Sequence, residues 1–513
     1  MPSCCWPARY LPVVGVMAVA AAGAQAQTSA AEGAAAGRVF SIVPSFSVSE
    51  TLTDNSRLTT NNRQAELITQ VSPGLRIVSS GGRIKGFLDY SLSGLVYARH
   101  SAGNELQNSL NAFGTAEAIE NWAYLDVSAN VSQQSISAFG TQSRDASLAN
   151  SNRTEVRTYS LSPYVRGRLA DFANYEARVT QTSTTSSTSA ASDATTSDAS
   201  LRLSGSSSLS TVSWSANASH QVYDFSAGRQ TENDLFRAAL TWAVDPELRF
   251  SAIGGYEANN LVSADKQGHS ISGLGVDWLP TERTRLSATA ERRFFGISHA
   301  LDFTHRTPRT VWRFSDSRNI STGLGQPTLG SQGTAFDLFY SLFASQQPDP
   351  ALRGQLVNSF LQANGISPTA TVFTASLASA VTLVRRQELS FALLGLRDTV
   401  LLAVSQGEAR RLDSVVVVSD DFANSNLVRE RGFTVSWAHR LTPQSALNLL
   451  ASLGRTSGTV GSPSTTLRSV MLNWTNRVGA RTNLILGARH AVFDSTSQPY
   501  TESAVTANLS FQF

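Results

Sequence analysis

The sequence contains very little cysteine and little charge. Its 513 residues include two cysteines, Cys4 and Cys5, so residues beyond them can form no disulfide, thiolate metal site or cysteine nucleophile. Charged residues make up 15% of the chain, whereas roughly 25% is usual, and Ser, Thr, Asn and Gln fill the polar positions instead. The net charge of +3 includes no basic or acidic block, so the sequence predicts no nucleic-acid partner.

Long hydrophobic runs are also missing after the N-terminal region. The four valines Val415–Val418 fall far short of the roughly 18 apolar residues that a spanning helix needs. This excludes a helical membrane protein. It does not exclude a membrane β-barrel, because the strands of such barrels alternate apolar and polar residues.

The N-terminus predicts a secretory signal peptide. Arg9 precedes an apolar segment at 10–23, and Ala24 and Ala26 form an A-x-A cleavage site. We therefore expect a signal peptide at 1–26, a short linker at 27–37 and one folded domain at 38–513. A disordered alanine-rich tail is the alternative.

Alternation with a period of two dominates the remaining sequence. It recurs, for example, at 121–133, 210–219 and 467–476. These segments are roughly 10–16 residues long, whereas soluble strands usually have about 5–6. They suit tilted strands of about 9–11 residues that cross a bilayer. A soluble sheet with one buried face is the alternative, since alternation alone only requires one buried face.

The connections alternate between short and long. Longer polar stretches occupy 50–63, 138–152, 412–427 and 458–464. The short turns are predicted near Ser80–Gly82, Ile119–Asn121, Asp171–Ala173, Asp245–Glu247, Pro280–Glu282, Arg306–Pro308, Arg397–Asp398, Thr442–Gln444 and Gly479–Arg481. This pattern, and the cost of a free sheet edge in lipid, predict an all-β, transmembrane, antiparallel up-and-down barrel of about 22 strands (range 18–22), with periplasmic short turns. The Ser/Thr-rich tract 181–213 leaves its strand boundaries undefined.

The C-terminal strand resembles the recognition signal that outer-membrane proteins present to the barrel-assembly machinery. Its apolar face consists of Val505, Ala507, Leu509, Phe511 and Phe513. We therefore expect the barrel-assembly machinery and outer-membrane lipid as partners. Several tryptophans near predicted strand ends also suit an interfacial girdle, with core aromatics of a soluble sheet as the alternative: Trp122, Trp214, Trp242, Trp278 and Trp474.

One segment, 325–370, has helical rather than strand periodicity. The apolar residues of its first helix follow an i, i+3, i+4, i+7 pattern, and the second helix begins at Asp349–Pro350 and closes at Gly365. The apolar positions are Phe336, Phe339, Tyr340, Phe343, Leu352, Leu356 and Phe360. We expect a two-helix insertion in one long loop, which either packs on the barrel rim or acts as a cap or plug.

No catalytic, cofactor-binding or metal-binding motif stands out. The seven histidines form no H-E-x-x-H cluster, and the chain has no G-x-S-x-G elbow or phosphate loop. His299 and His305 are six residues apart and would share one face of a strand, a spacing that is more often structural. We expect a non-enzyme without a cofactor. A hydrolase assembled from adjacent strands is an unfavoured alternative.

Seven stretches together resemble one family, the PEP-CTERM system-associated outer-membrane proteins of Gram-negative bacteria. They are Val43–Asn55, Glu66–Ile77, Ile84–Arg99, Arg292–Gly296, Leu301–Trp312, Asp349–Pro368 and Arg385–Val404. Members accompany exopolysaccharide and exosortase-type sorting genes. The resemblance implies an outer-membrane barrel linked to export or display of polysaccharide, with polysaccharide and other export components as partners. It carries over no catalytic residues.

Two functions of different classes remain open at this point. In the first, the barrel is a pore or export component with a polar lumen. In the second, the barrel anchors a structural or adhesive surface protein, and its long loops bind without any transport role.

Overall fold

The computed structural model of the chain describes residues 40–188, 193–206, 211–226, 228–321, 381–412, 420–423, 425–459 and 461–513. The predicted signal peptide (1–26) and linker (27–37) lie outside these residues. So do the predicted helices at 325–370, including all seven of their apolar positions.

The described residues form 22 strands. The strands are β1 (Phe40–Thr53), β2 (Glu66–Ser80), β3 (Ile84–Tyr97), β4 (Glu105–Ile119), β5 (Ala123–Ser135), β6 (Arg153–Leu169), β7 (Ala173–Ser186), β8 (Ala194–Ser206), β9 (Val212–Phe225), β10 (Thr231–Ala243), β11 (Leu248–Asn259), β12 (Gln267–Thr281), β13 (Thr284–Arg293), β14 (Gly296–Arg306), β15 (Thr310–Ser321), β16 (Thr382–Leu394), β17 (Asp398–Arg411), β18 (Leu427–Thr442), β19 (Ser445–Ser457), β20 (Ser464–Gly479), β21 (Thr482–Ser495) and β22 (Tyr500–Gln512). One short 3₁₀ helix, Asp421–Ala423, precedes β18. No helix in these ranges is long and apolar enough to cross a membrane.

The sheet closes on itself. Each strand pairs antiparallel with its neighbour in sequence, and β1 also pairs with β22, from Ser45↔Gln512 to Thr53↔Ala504. Closure leaves no strand edge without backbone partners, which a sheet in lipid requires. The predicted all-β, up-and-down antiparallel barrel of about 22 strands is therefore confirmed.

Connection lengths alternate around the barrel. Those from even to odd strands are short, such as 81–83 and 443–444, whereas 54–65 and 136–152 on the other end are long. All nine predicted short turns overlap such short connections. One connection on the long side, Phe294–Phe295 between β13 and β14, has only two residues. We call the two ends of the barrel the short-turn end and the long-loop end.

The outward face of the barrel is apolar and exposed. Phe40, Ile42 and Leu52 of β1 are 53–55% exposed, while the alternate residues Thr51 and Thr53 are 5% and 1% exposed. This reverses the arrangement of a soluble protein, in which large apolar side chains are buried. The apolar stripe of β22 lies on the same outward face, since Leu52 pairs with Val505 and Val48 with Leu509.

Every described tryptophan lies toward the short-turn end. Six lie on outward-facing strand positions, and Trp122 lies in a short turn. Trp312 packs on Phe391 of the next strand, with ring centroids 4.4 Å apart. The indole N–H of Trp437 donates to Asp398 at 3.0 Å. The seven are Trp122, Trp214, Trp242, Trp278, Trp312, Trp437 and Trp474. A ring of indoles at one end is typical of a bilayer interface.

The buried core lies inside the barrel at the long-loop end. One cluster contains Leu58, Ile68, Leu95, Tyr97, Leu148, Leu467, Ala491, Phe493 and Tyr500. A second contains Val156, Ala194, Tyr223, Phe225, Leu261 and Val381. Both combine inward strand residues with residues from the long connections, so these connections fold into the mouth of the barrel.

Candidate functional site

The inner wall of the barrel is polar, and several of its charges are paired across strands. Arg237 of β10 contacts Glu291 of β13 at 2.6 Å, and Arg293 contacts the fully buried Glu257 at 2.5 Å. Arg313 contacts Asp302 at 2.8 Å. These hydrogen-bonded pairs contribute hydrophilic surface without net charge.

Aromatic rings form part of the inner wall on β3–β6. Phe87 and Phe113 are directly paired across strands and remain 39% and 45% exposed, although they share the inward face with the buried Tyr97 and Gln107. Toward the short turns, Tyr124 and Tyr164 stack with centroids 5.1 Å apart.

Two guanidinium groups cover this tyrosine pair. Arg166 lies 4.3 Å from the ring centroid of Tyr124, and Arg178 lies 3.8 Å from that of Tyr164. Arg178 also contacts Asp126 at 2.7 Å. The guanidinium groups cover the two buried tyrosine rings through cation–π contacts. Phe87 and Phe113 remain the exposed rings of this wall.

The connection between β5 and β6 folds into the lumen, and we call residues 136–152 the inward loop. Asn152 closes its base: its backbone carbonyl accepts from Ile136 N–H at 3.1 Å. The side chain of Asn152 accepts from Ser137 N–H and donates to the carbonyls of Ser137 and Thr141. Serine and asparagine side chains commonly replace regular backbone pairing in turns in this way.

The inward loop reaches strands far away in sequence. Asp421 accepts hydrogen bonds from Ser137 Oγ at 2.5 Å and from the Ala138 N–H at 2.6 Å. The hydroxyl of Tyr500 donates to the carbonyl of Gln142 at 2.5 Å. These contacts attach the loop to the wall formed by the C-terminal strands.

Arg489 is a buried, charged anchor of the inward loop. Its side chain is 5% exposed and contacts Asp145 of the loop at 2.6 Å and Glu502 of β22 at 2.7 Å. Glu502 also accepts from the hydroxyl of Thr53 at 2.9 Å. One arginine therefore joins the loop to β22 and, through Glu502, to β1.

Two loop carboxyl groups have shifted pKa values. Burial opposes the ionisation of Asp145, but the charge of Arg489 and the Ser147 N–H outweigh it, so the pKa of Asp145 lies below its ordinary value. For Asp421, burial prevails over its hydrogen bonds to Ser137 and Ala138 and raises the pKa. Asp145 is thus held as a carboxylate, whereas burial disfavours the charge on Asp421.

The underside of the inward loop is apolar. Leu148 is 3% exposed and lies in the cluster with Leu58 and Phe493. The backbone N–H of Ala149 donates to Ser56 O in the β1–β2 connection at 3.1 Å. Apolar burial and hydrogen bonds together make the loop an ordered part of the mouth.

A cleft of about 610 Å³ lies between the inward loop and the neighbouring connections. Its lining includes the polar residues Thr60, Asn61, Thr141, Asn150 and Gln498. Thr141 Oγ1 donates to Gln498 Oε1 at 2.9 Å across this cleft.

The predicted site residues occupy the following places. Val505, Ala507, Leu509 and Phe511 lie on the outward face of β22, and Phe513 follows the strand and donates its N–H to Pro44 O at 3.0 Å. The structure pairs them with β1, and their role as an assembly signal stays a prediction.

The inward fold of the 136–152 connection was not predicted. Its sequence indicates a polar connection, and no local feature distinguishes a loop that folds inward from one in solvent.

The histidines do not come together. His299 and His305 share the outward face of β14, where His299 contacts Asp316 at 3.1 Å and His305 contacts Thr284 at 2.9 Å. Within the described ranges, no group of three His, Cys, Asp or Glu side chains is arranged to hold a metal ion.

The chain matches no family model and no curated protein. Among solved structures it is similar to the siderophore receptor PirA from Pseudomonas aeruginosa, with 9% identity, coverage of 92% of this chain and 80% of that chain, and a TM-score of 0.45. It is also similar to the FrpB iron transporter from Neisseria meningitidis (F5-1 variant), with 11% identity, coverage of 92% of this chain and 82% of that chain, and a TM-score of 0.49. A third similar structure is the outer membrane protein OpdK from P. aeruginosa, with 10% identity, coverage of 92% of this chain and 99% of that chain, and a TM-score of 0.34. Likeness at these values carries no information about cargo or binding residues.

Proposed function

We propose that the chain is a transmembrane barrel of the outer membrane of a Gram-negative bacterium, and that its lumen serves transport. The observation that carries the proposal is the closed barrel with an apolar outer face, a tryptophan ring at one end and a polar inner wall. In water, the outer face would expose apolar area far beyond the few hundred Å² usual for a soluble monomer. In a bilayer, lipid covers it.

The inner wall supports a hydroxyl-rich, uncharged or weakly charged cargo. Several of its charges are already paired, as in Arg237–Glu291 and Arg313–Asp302. Its accessible rings, Phe87 and Phe113, offer apolar faces against which a sugar ring can stack. We infer an oligo- or polysaccharide as the class of cargo, with the inward loop controlling passage at the long-loop end.

The link to exopolysaccharide export or PEP-CTERM surface systems rests on the sequence resemblance alone. It agrees with a sugar-binding lumen. A deletion strain tests the link: secreted polysaccharide should fall, and expression of the chain in trans should restore it. Normal polysaccharide in the deletion strain would overturn the link without affecting the barrel.

Planar-bilayer conductance of the purified chain tests the transport role. We expect discrete channels whose current is reduced by a neutral oligosaccharide. Phe87→Ala with Phe113→Ala should weaken this reduction about two- to tenfold per ring, because a stacking contact contributes about 0.5–1.5 kcal/mol.

The control replaces outward-facing residues of the same two strands, Leu88→Ala with Leu110→Ala, which contact no lumen. It should leave oligosaccharide binding unchanged. Absence of channels in every form, or equal loss in both pairs of variants, would contradict a sugar-conducting lumen.

The ordered inward loop favours one second function, a barrel that anchors a surface-binding protein. Its ties to Asp421 and Arg489 would also suit a closed mouth that presents the long connections. In that case, variants in 54–65 should abolish surface attachment while Phe87 and Phe113 variants leave it intact. If only the lumen variants changed surface attachment, that result would contradict this second function.

A further inference from the structure

The outward face changes character along β18–β20. Near the short turns and in the middle of these strands, the outward residues are apolar, as in Trp437, Val435 and Phe433 of β18. The next outward residues toward the long-loop end are Arg431 and Arg429. The same change occurs on β19 and β20, where Arg455 and Arg468 follow Leu453 and Val470.

Two of these arginines face each other directly. Arg431 and Arg455 are cross-strand partners, and both are exposed. Arg468 lies one diagonal step away, because its partner on β19 is Leu453. Like charges directly opposite each other destabilise a sheet, so this arrangement needs a compensating anion.

Most neighbouring outward charges have that compensation within the chain. Arg385 contacts Asp316 at 2.9 Å, Arg429 contacts Glu408 at 3.2 Å and Arg468 contacts Asp494 at 2.6 Å. In the described part of the chain, neither Arg431 nor Arg455 has an acidic partner. On β18–β20, the outward positive charge without an acidic partner is therefore confined to this pair, at the boundary between the apolar band and the long-loop end.

We propose that Arg431 and Arg455, flanked by Arg468, bind the phosphate of an anionic glycolipid of the outer leaflet. Guanidinium groups match phosphate oxygens with paired, charge-assisted hydrogen bonds. The apolar residues directly below the pair, Phe433 and Leu453, are themselves cross-strand partners and offer a surface for acyl chains. A ligand with a phosphate above and hydrocarbon below fits this order, whereas a free anion would use only the upper part.

The inference rests on the membrane location proposed above but not on the transport role. It assigns a defined headgroup site to one side of the barrel, near β18–β20. Bound phosphate would cancel the repulsion between Arg431 and Arg455 and so stabilise the pairing of β18 with β19. Glycolipid binding should therefore protect these two strands in particular.

Native mass spectrometry of the folded full chain in neutral detergent tests the proposal. The probes are diphosphorylated lipid A and the same lipid with its phosphates removed. Wild-type protein should bind the phosphorylated lipid at least about tenfold more tightly. Arg431→Gln with Arg455→Gln should abolish this preference, and replacement of both by Lys should keep part of it, since charge remains but the paired geometry is lost.

The matched control is Arg397→Gln with Arg481→Gln, which removes the same charge from exposed short-turn positions. It should retain the full preference. Inorganic phosphate at millimolar concentration should not displace the lipid; complete displacement would assign the site to a free anion and overturn the lipid proposal. Equal wild-type binding of both lipids would also overturn it, whether or not the Gln variant folds. A folded barrel that shows no preference for the phosphorylated lipid would not contradict the proposed membrane location.

Discussion

Replacing Arg489 with methionine should release the inward loop. Methionine keeps much of the aliphatic volume but removes the guanidinium group that contacts Asp145 at 2.6 Å and Glu502 at 2.7 Å. The side chains of Glu502 and Asp145 are 1% and 17% exposed. With Arg489 gone, the two carboxylates would lose the guanidinium group that pairs with both of them.

The magnitude follows from the burial of this pair. Removal of one partner from a buried ion pair costs about 3–5 kcal/mol. We take about 3 kcal/mol, since Asp145 can return to water when the loop moves outward. At 1.36 kcal/mol per factor of ten, the closed-to-open ratio of the loop should fall roughly 100-fold.

A cysteine probe can measure this ratio, because the chain has no cysteine after Cys5. Ser147 in the inward loop is 3% exposed, and Ser147→Cys is nearly isosteric. In otherwise wild-type protein, Cys at this position should react slowly with a polar maleimide. In the Arg489→Met background, the rate should rise roughly 100-fold.

The control is Arg237→Met, which breaks an inward ion pair with Glu291 away from the inward loop. Its labelling rate should match that of the parent Ser147→Cys protein. A rate in the Arg489→Met background within threefold of the parent would refute the claim that Arg489 holds the loop closed.

Three further predictions concern pH, the second loop anchor and the lipid-facing surface. The pKa of Asp145 is below its ordinary value of 3.8, so the Asp145–Arg489 pair stabilises the loop fully above pH 3.8, and this stabilisation is lost as the pH falls below 3.8. Amide exchange at 145–148, corrected for intrinsic rates, should therefore accelerate from pH 5 to pH 3. Asp145→Asn should remove this pH dependence. Asp421→Ala should lower the free energy of unfolding in urea by about 1–3 kcal/mol, because it leaves the Ala138 N–H unpaired. Asp421→Asn keeps a hydrogen-bond acceptor without the charge and should lower this free energy by less. Equal losses in the two variants would contradict the burial argument. Val505→Arg should destabilise the barrel in lipid by about 2–4 kcal/mol and the inward-facing Thr506→Arg by much less, and equal effects would contradict the assignment of faces.

The barrel could be predicted from sequence because its signals are local. Alternation within one strand identifies the two faces, and residues at single positions mark the turns, so nine short turns were placed correctly. The connection between β8 and β9, after Ser206, was missed since the Ser/Thr-rich tract contains too few apolar residues to define strand ends. Outward tryptophans such as Trp242 and Trp278 followed the prediction of a girdle, and the structure adds Trp312 and Trp437.

The inward loop could not be predicted, because its contacts join residues far apart in sequence. Asp145 and Arg489 are 344 positions apart, and Ser137 and Asp421 are 284 apart. No periodicity connects such positions. The facing pair Arg431 and Arg455 depends on strand register, which alternation alone leaves open by steps of two residues.

Spin labels along β22 test the central claim most directly, namely that lipid covers the outward face and water fills the inward side. Single cysteines at 505, 506, 507 and 508 replace Val505, Thr506, Ala507 and Asn508, two on each face of the strand. In bilayers, labels at 505 and 507 should be accessible to oxygen dissolved in lipid, and labels at 506 and 508 to a water-soluble nickel complex. Access of the nickel complex to all four positions, or an inverted pattern, would contradict a membrane-spanning barrel.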